Sequence, residues 1–292
     1  MSIAINCKAI AEKIEAEARE MATNFFAMTG RHPMLMTIIA NDDPASKRYV
    51  RNKMRACERC GIAHEGWTLA DSKEIGSALW RYSQYASVDG VMLQLPVCDG
   101  LNANELIQMI DPAKDVDCLT SQNMGKLALG DNSFMPATVA GIMRLFKEEG
   151  YDLKGKIVVI RGRSNIVGKP LALAMINAGA TVVSENSHSD TVVENTLGRD
   201  IYDNKGSYYM SSAIDVVVDA TGKKRRWNPS CDYYIDVTTI VDEDGKLHGS
   251  YIPATENVGK YTSVPGGVGL LTCACLAWNT AYLACKQAGI EV

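Results

Sequence analysis

A serine, a tyrosine and a lysine share one face of a predicted helix in the segment ASKRYVRNKMRACERCG. Ser46, Tyr49 and Lys53 occupy positions i, i+3 and i+7, which lie above one another on a helix. If that face is buried, the loss of hydration favours the neutral amine, and the lysine can exchange protons near neutral pH. The alternative is a surface lysine beside an interfacial tyrosine, and these residues alone favour it.

Two further polar side chains stand beside apolar segments. Gln94 ends the strand-like DGVMLQLP, and ligands of open α/β sheets bind beyond such strand ends. A buried amide needs partners that a ligand can provide, although an outward-facing glutamine fits the sequence equally well. Asp117, in an apolar setting, could anchor an amino-bearing heterocycle, whereas Asp111 and Asp115 are assigned to a solvated loop.

Two glycine-rich turns run into predicted helices. GRSNIVGKP, residues 162–170, follows the apolar IVVI but lacks the usual G-x-G-x-x-G spacing of dinucleotide-binding turns. Its amides at the helix N-terminus can nevertheless meet phosphates. SVPGGVGLLT, residues 263–272, lets backbone approach a ligand closely, and its glycine content favours a binding role over a simple connector.

The elements that must position these residues alternate between strand and helix. PMLMTIIA, GWTLA and VDGVMLQLP are predicted strands separated by helices, and their unbroken apolar runs indicate a parallel sheet covered on both faces. After a loop from Asp111 to Pro136, the alternation restarts with KIVVIRG, TVVSE, AIDVVVDAT and YYIDVTT. The fold class is therefore α/β with two open α/β domains. The first is residues 1–137 with 271–292, and the second, 138–270, is a doubly wound, Rossmann-type nucleotide-binding domain.

Composition narrows the class of protein. The chain has 292 residues and a net charge of -4, and its only dense basic cluster is KKRR at 223–226, which is interpreted as a solvated loop. These features argue against a nucleic-acid partner. The N-terminus fits no signal peptide and no run of eighteen residues is unbroken apolar, so the chain is expected in the cytoplasm without a membrane partner. The nine cysteines, Cys57 and Cys60 among them, are interpreted as reduced packing residues, and the histidines show no metal-ligand pattern.

Taken in order along nearly the whole chain, these segments resemble the bifunctional methylenetetrahydrofolate dehydrogenase/cyclohydrolase family. The matching strings are DDPASKRYVRNKMRACERCGI, DGVMLQLP, IDPAKDVD, SQNMGKLALG, GRSNIVGKPLA, HSDT and VPGGVG. The resemblance implies oxidation of 5,10-methylenetetrahydrofolate to the methenyl compound by hydride transfer to NADP. It then implies hydrolysis to 10-formyltetrahydrofolate in the same cleft, a role in one-carbon metabolism and purine biosynthesis, and a homodimer.

The same resemblance implies roles for particular residues. Lys53 matches the catalytic lysine, Tyr49 the tyrosine that stacks on the folate, and Gln94 the glutamine that contacts and tunes the lysine. The other substrate-binding residues are Ser46, Asp117 at the pterin, and Pro265, Gly266 and Gly267 in a loop that closes over the cleft. The cofactor-binding residues are Gly162, Arg163, Ser164, Ile166, His188 and Ser189.

Several positions depart from the family pattern. Cys118 stands where a glycine is expected, Ala137 and Val139 replace a cysteine and a proline, and Leu270 replaces a proline. These changes bear on the folate side and on the hinge between the domains. They suggest one alternative, a folate-binding protein without turnover.

Cofactor preference depends on two charged residues. Arg163 offers a positive charge to a 2′-phosphate and, with the family resemblance, favours NADP. Glu185 lies about twenty residues after the glycine turn, where an acid that binds ribose hydroxyls favours NAD. A monofunctional NAD-dependent dehydrogenase is therefore a further alternative, whereas a shikimate-type dehydrogenase is disfavoured by the folate-side motifs.

Overall fold

The computed structural model describes residues 2–186, 189, 201–202, 208–209, 214–222, 230–241, 244, 246–250 and 257–292. In chain order its elements are β1 (Ile3–Ala4), α1 (Cys7–Thr29), β2 (Met34–Ile39), α2 (Pro44–Arg59), β3 (Ala63–Thr68), α3 (Ser72–Gln84), β4 (Gly90–Gln94), α4 (Ala103–Ile107), α5 (Ser121–Ala128), α6 (Ala137–Glu148), β5 (Ile157–Arg161), α7 (Gly168–Asn177), β6 (Thr181–Glu185), β7 (Ile201–Tyr202), β8 (Tyr208–Tyr209), β9 (Val216–Asp219), β10 (Cys231–Asp236), β11 (Ile240–Val241), β12 (Leu247–His248), β13 (Val258–Tyr261) and α8 (Val268–Gln287). The chain forms two compact units, a first unit of residues 8–141 with 270–292 and a second unit of residues 1–7 with 142–269.

The first unit is built on a parallel sheet in the order β3-β2-β4. Ile39 lies opposite Thr68 on one side and Gln94 on the other, so the carboxyl ends of all three strands meet at one edge. Along β4, Val91 and Leu93 pack into an apolar cluster that also includes side chains of α3. Because side chains alternate along a strand, the intervening polar end of β4 faces the opposite side of the sheet.

Helix α2 begins where the sequence provides a cap. The Asp43 carboxylate accepts a hydrogen bond from the backbone N–H of Ser46 at 3.1 Å, and Pro44 at the first helical position has no N–H to leave unsatisfied. The helix is followed by Gly61, whose φ of 72° lies in the left-handed region that commonly ends helices. Local sequence therefore fixes both ends of the helix that carries Lys53.

Helix α8 belongs to the first unit from Leu270 onward. The buried Asn279 donates from Nδ2 to the carbonyl oxygens of Val116 at 2.8 Å and Met135 at 3.1 Å. By length and composition alone, α8 is the one helix among the described residues that could cross a membrane, and 67% of its apolar window is buried inside the protein. Apolar helices buried in the core of a protein meet the same criterion of length and composition.

The second unit contains a parallel sheet of six strands in the order β1-β13-β10-β9-β5-β6. The chain leaves β5 toward β6 on one side and returns with β9 on the other, so the strand order reverses between β5 and β9. This is the doubly wound arrangement, and its crevice lies outside the carboxyl ends of these strands. Through β1, residues 1–7 belong to this unit, whereas the sequence interpretation assigned them to the first domain.

The predicted loop from Asp111 to Pro136 contains a helix, α5, so that part of the prediction is wrong. Asp115 is also buried, which contradicts its assignment to a solvated loop. Its Oδ2 accepts hydrogen bonds from the Thr120 N–H at 2.8 Å and from Asn123 Nδ2 at 3.1 Å. Its carboxylate thus holds the first turn of α5. The basic cluster at 223–226 lies outside the described residues.

Cys118 has a φ of 55°, in the left-handed region that favours glycine. Because a Cβ in this region costs about 1 kcal/mol, Cys118→Gly is expected to be more stable than Cys118→Ala by about that amount. Both variants lose the thiol that lies 3.5 Å from the Phe134 carbonyl oxygen, so the loss of that contact does not enter the comparison. Urea unfolding measures the difference, and an alanine variant as stable as the glycine variant would contradict the assignment.

Candidate functional site

The Lys53 ammonium is directed at the polar end of β4. Its Nζ lies 3.2 Å from Gln94 Oε1 and 3.2 Å from Met92 Sδ. Gln94 is only 6% exposed, which excludes the outward-facing alternative. Its Nε2 donates to the Leu95 carbonyl at 2.6 Å, so the amide oxygen is the atom presented to the lysine. The structure therefore brings together two of the predicted catalytic residues at the carboxyl edge of the sheet.

Tyr49 and Ser46 differ in how accessible they are. Tyr49 is 39% exposed, which leaves its ring available to a flat ligand. Ser46 is buried, and its hydroxyl donates to Asp43 Oδ2 at 3.2 Å. In this structure the serine hydroxyl thus supports the start of α2, about two turns before Lys53.

Asp117 is a partly buried carboxyl group in the electrostatic field of the lysine. Desolvation by the surrounding protein raises the pKa of Asp117, and nearby Asp115 acts in the same direction. The positive charge of Lys53 opposes this rise in pKa. A carboxylate that is incompletely solvated is stabilised when a ligand donates hydrogen bonds to it. Asp117 is therefore suited to bind a ligand that presents N–H groups.

Sequence reasoning missed two residues that shape this site. Met92 could have been found, since it precedes Gln94 by two positions and strand alternation puts both on one face. Asn41 has no such signal. Its Nδ2 donates to the Pro96 carbonyl, and its Oδ1 accepts from the Asp43 N–H at 3.1 Å. Asn41 thereby joins the segment after β4 to the start of α2.

The C-x-x-C pair has no role in the site. Cys57 and Cys60 are free and buried. Burial raises the pKa of Cys60 to about 11, and its Sγ lies 3.5 Å from the Glu15 carbonyl oxygen. Both cysteines are therefore neutral packing groups at physiological pH.

In the second unit, two glycines close the turn between β5 and α7. Gly162 has a φ of 110°, and a Cβ there would lie 2.8 Å from the Ala220 carbonyl oxygen. A Cβ on Gly168 would overlap the carbonyl oxygen of Gly162 and lie 3.0 Å from the Arg163 Cα. The turn thus brings backbone together at the carboxyl ends of β5 and β9, with the α7 N-terminus beside it, a cradle suited to a dinucleotide phosphate.

Side chains of the same turn serve two purposes. Ser164 Oγ accepts from the N–H groups of Val167 at 3.1 Å and Gly168 at 3.4 Å. Arg163 is exposed, and its guanidinium donates to the Ser184 carbonyl, which places it beside the end of β6. Ile166 is also exposed. The serine stabilises the turn, while the arginine and isoleucine side chains remain exposed.

The remaining predicted residues lie in the second unit as well. Ser189 Oγ accepts from the Asn186 N–H at 3.2 Å, just after the end of β6, whereas His188 lies outside the described residues. Gly266 has a φ of 98°, and a Cβ on Gly267 would overlap the Ser263 carbonyl oxygen. Pro265 and Gly266 are exposed at this turn.

Comparisons with known proteins match both halves of the chain to the same family. Residues 5–117 match the family described as tetrahydrofolate dehydrogenase/cyclohydrolase, catalytic domain, and residues 136–288 match its NAD(P)-binding domain. The "Bifunctional protein FolD" of Magnetococcus marinus is 36% identical over 96% of this chain and 96% of its own.

Two solved structures are similar along their whole length. The bifunctional FolD dehydrogenase/cyclohydrolase of Campylobacter jejuni has a TM-score of 0.87 and 31% identity, covering 98% of this chain and 100% of its own. The methylenetetrahydrofolate dehydrogenase-cyclohydrolase of Trypanosoma brucei, complexed with NADP and an inhibitor, has a TM-score of 0.83 and 26% identity, covering 98% of each chain.

Proposed function

The chain belongs to the tetrahydrofolate dehydrogenase/cyclohydrolase family, and from that premise we propose that it catalyses both reactions. It oxidises 5,10-methylenetetrahydrofolate to 5,10-methenyltetrahydrofolate with NADP and hydrolyses the product to 10-formyltetrahydrofolate. The observation that carries the proposal is the contact of Lys53 with the buried Gln94 at the carboxyl edge of the sheet. A lysine held this way is a proton-transfer group, which hydrolysis needs and hydride transfer does not.

The first reaction needs positioning more than acid or base chemistry. The hydride leaves a carbon between two nitrogens, whose lone pairs stabilise the cation that remains, and bound NADP would accept it. No proton moves in this step, so the protein contributes by fixing distance and orientation. Tyr49 would stack on the folate, and Asp117 would accept hydrogen bonds from the N–H groups of the pterin.

The second reaction needs proton transfer. Water adds to the methenyl carbon, and one carbon–nitrogen bond of the resulting adduct breaks as that nitrogen gains a proton. Lys53 is the group suited to relay these protons, since Gln94 Oε1 holds its Nζ at 3.2 Å. Gln94 in turn is fixed by its bond to the Leu95 carbonyl, so the lysine is positioned before substrate binds.

The second unit fits NADP. The close backbone approach at Gly162 and Gly168 and the N-terminus of α7 match the phosphate-binding part of a doubly wound fold. Arg163, beside the end of β6, provides a cation for the 2′-phosphate. The NADP complex of the Trypanosoma brucei relative supports this choice.

The alternatives are not favoured. The contact of Lys53 with Gln94 argues against a monofunctional dehydrogenase, because hydride transfer needs no proton-transfer group. The close backbone approach at Gly162 and Gly168 argues against a folate-binding protein without turnover, because such a protein needs no dinucleotide site. Cys118, which suggested the second alternative, has a φ of 55°, in the left-handed region that glycine adopts without strain. The substitution therefore leaves the path of the chain beside Asp117 compatible with the family pattern.

We also propose that the protein acts in the cytoplasm as a homodimer, without nucleic-acid or membrane partners, and supplies one-carbon units for purine biosynthesis. Nine free cysteines support a reducing compartment. The net charge of -4 argues against binding to nucleic acid. The dimer and the metabolic role are supported by the family resemblance.

One pair of assays tests the proposed function. With methylenetetrahydrofolate, the purified protein is expected to reduce NADP faster than NAD, because the role proposed for Arg163 is to bind the 2′-phosphate. Added methenyltetrahydrofolate is expected to lose its absorbance faster with the protein than in buffer alone. Dehydrogenase activity without catalysed hydrolysis would indicate the monofunctional enzyme, and folate binding with neither activity would indicate the non-catalytic protein.

A further inference from the structure

Four neighbouring strands of the second unit, β6, β5, β9 and β10, each end in a charged residue, and these four residues are paired in register across the sheet. Arg161 of β5 is paired with Glu185 of β6 on one side and with Asp219 of β9 on the other. Asp219 is paired in turn with Asp236 of β10. Residues paired in register point to the same face of a sheet, so one arginine stands among three carboxylates at the crevice.

The arginine bridges the two acids beside it. Arg161 Nε lies 3.3 Å from Glu185 Oε2, and NH1 lies 3.7 Å from Asp219 Oδ2. All three side chains are largely buried, with exposures of 10% for Arg161, 13% for Glu185 and 1% for Asp219. Charges in such surroundings are weakly screened, so the attraction between Arg161 and these two carboxylates is strong.

Glu185 occupies the position from which an acid would select NAD. In doubly wound folds an acid at the end of the second strand binds the ribose hydroxyls and, through its charge, excludes a 2′-phosphate. Here the carboxylate is turned to Arg161 instead, while the exposed Arg163 lies beside the same strand end through its bond to the Ser184 carbonyl. One arginine is thus placed to neutralise the acid, and the other to meet the phosphate.

We propose that Arg161 determines cofactor preference by holding the Glu185 carboxylate and offsetting its charge, so that the site accepts NADP where the acid alone would select NAD. The inference rests on the proposed function, since it concerns the dinucleotide site of that enzyme. Arg161 acts through Glu185 and is therefore a positioning residue. Asp219 keeps other donors when Arg161 is removed, because Thr221 Oγ1 lies 2.7 Å and Tyr234 OH 3.2 Å from its carboxylate.

Titration calorimetry of the folate-free protein with NADP and with NAD tests the inference by binding alone. Arg161→Met is expected to weaken NADP binding by about tenfold or more, because the bared carboxylate repels the 2′-phosphate, and to leave NAD binding unchanged or tighter. In Arg161→Met/Glu185→Gln the repelling charge is gone, and NADP affinity is expected to return toward the wild-type value. An affinity ratio that Arg161→Met leaves within about twofold of wild type would overturn the inference.

Two further variants keep the test decisive. Lys156→Met is the matched control, because Lys156 pairs with Asp215 at 3.0 Å at the other end of the same strands, and its removal should not alter the ratio. Glu185→Gln, which buries no unpaired charge, covers the case in which Arg161→Met does not fold. It should leave the binding of both dinucleotides nearly unchanged, and a loss of NAD binding of about tenfold would show that Glu185 contacts ribose and overturn the inference. A wild-type protein that binds neither dinucleotide would instead contradict the proposed function.

Discussion

Lys53→Met is expected to abolish catalysed hydrolysis of methenyltetrahydrofolate while the protein stays folded. General acid–base catalysis contributes about 10²-fold to 10⁴-fold, so the rate of hydrolysis should fall by at least the lower of these factors. Lys53 is only partly buried, and methionine matches the length of its stem, which predicts an intact fold. Absorbance decay of the methenyl compound measures the rate, and thermal unfolding confirms folding.

Lys47→Met is the matched control for this experiment. Lys47 lies on the same helix, but its Nζ pairs with the exposed Asp42 at 2.7 Å rather than with Gln94. An exposed ion pair contributes at most about 1 kcal/mol, so this variant should hydrolyse substrate like the parent protein. Hydrolysis by Lys53→Met at the parent rate would show that another group carries the protons.

Gly168→Ala is expected to weaken NADP binding by displacing the turn that begins α7. The added Cβ would overlap the Gly162 carbonyl oxygen and lie 2.7 Å from its carbon, and both are backbone atoms that cannot rotate away. Overpacking of this kind costs about 1–3 kcal/mol, so thermal unfolding should also occur at a lower temperature. Calorimetric titration with NADP measures the loss of binding, which we expect to be about tenfold or more.

Gly125→Ala makes the same chemical change where there is room for it. Gly125 lies within α5, and a Cβ there would meet nothing within 4 Å. Alanine is a better helix former than glycine by about 1 kcal/mol, so this variant should be at least as stable as the parent protein. If Gly168→Ala bound NADP with parental affinity at an unchanged melting temperature, the close approach at the turn would be disproved.

Local spacing identified the candidates for the lysine site, but only the family resemblance favoured them over the surface alternatives. Ser46, Tyr49 and Lys53 follow from helical periodicity, and Gln94 from its place at the end of an apolar strand. These are relations within one element, which a single sequence can reveal. The bond from Asn41 to the Pro96 carbonyl could not be predicted in the same way, because it joins residues 55 positions apart through the shape of the fold.

The pairing of Arg161 with Glu185 in the second unit also could not be predicted from local spacing. Spacing from the glycine turn marks Glu185 as a possible ribose ligand, but the partner of its carboxylate depends on which residue of β5 lies opposite it. That register places Arg161 there, and nothing within β6 reveals it. Asp115 was misassigned for a related reason, since a solvated carboxylate and a buried one that accepts hydrogen bonds from Thr120 and Asn123 look alike in composition.

The bonds from Asn279 also constrain the order in which the protein folds during synthesis. Its side chain secures the carbonyl of Val116, next to Asp117, yet it is made more than a hundred residues later. Residues 142–269 of the second unit emerge from the ribosome in between and can fold as a unit. The folate side of the enzyme, although encoded mostly in the first half of the chain, is therefore completed last, when residues 270–292 arrive.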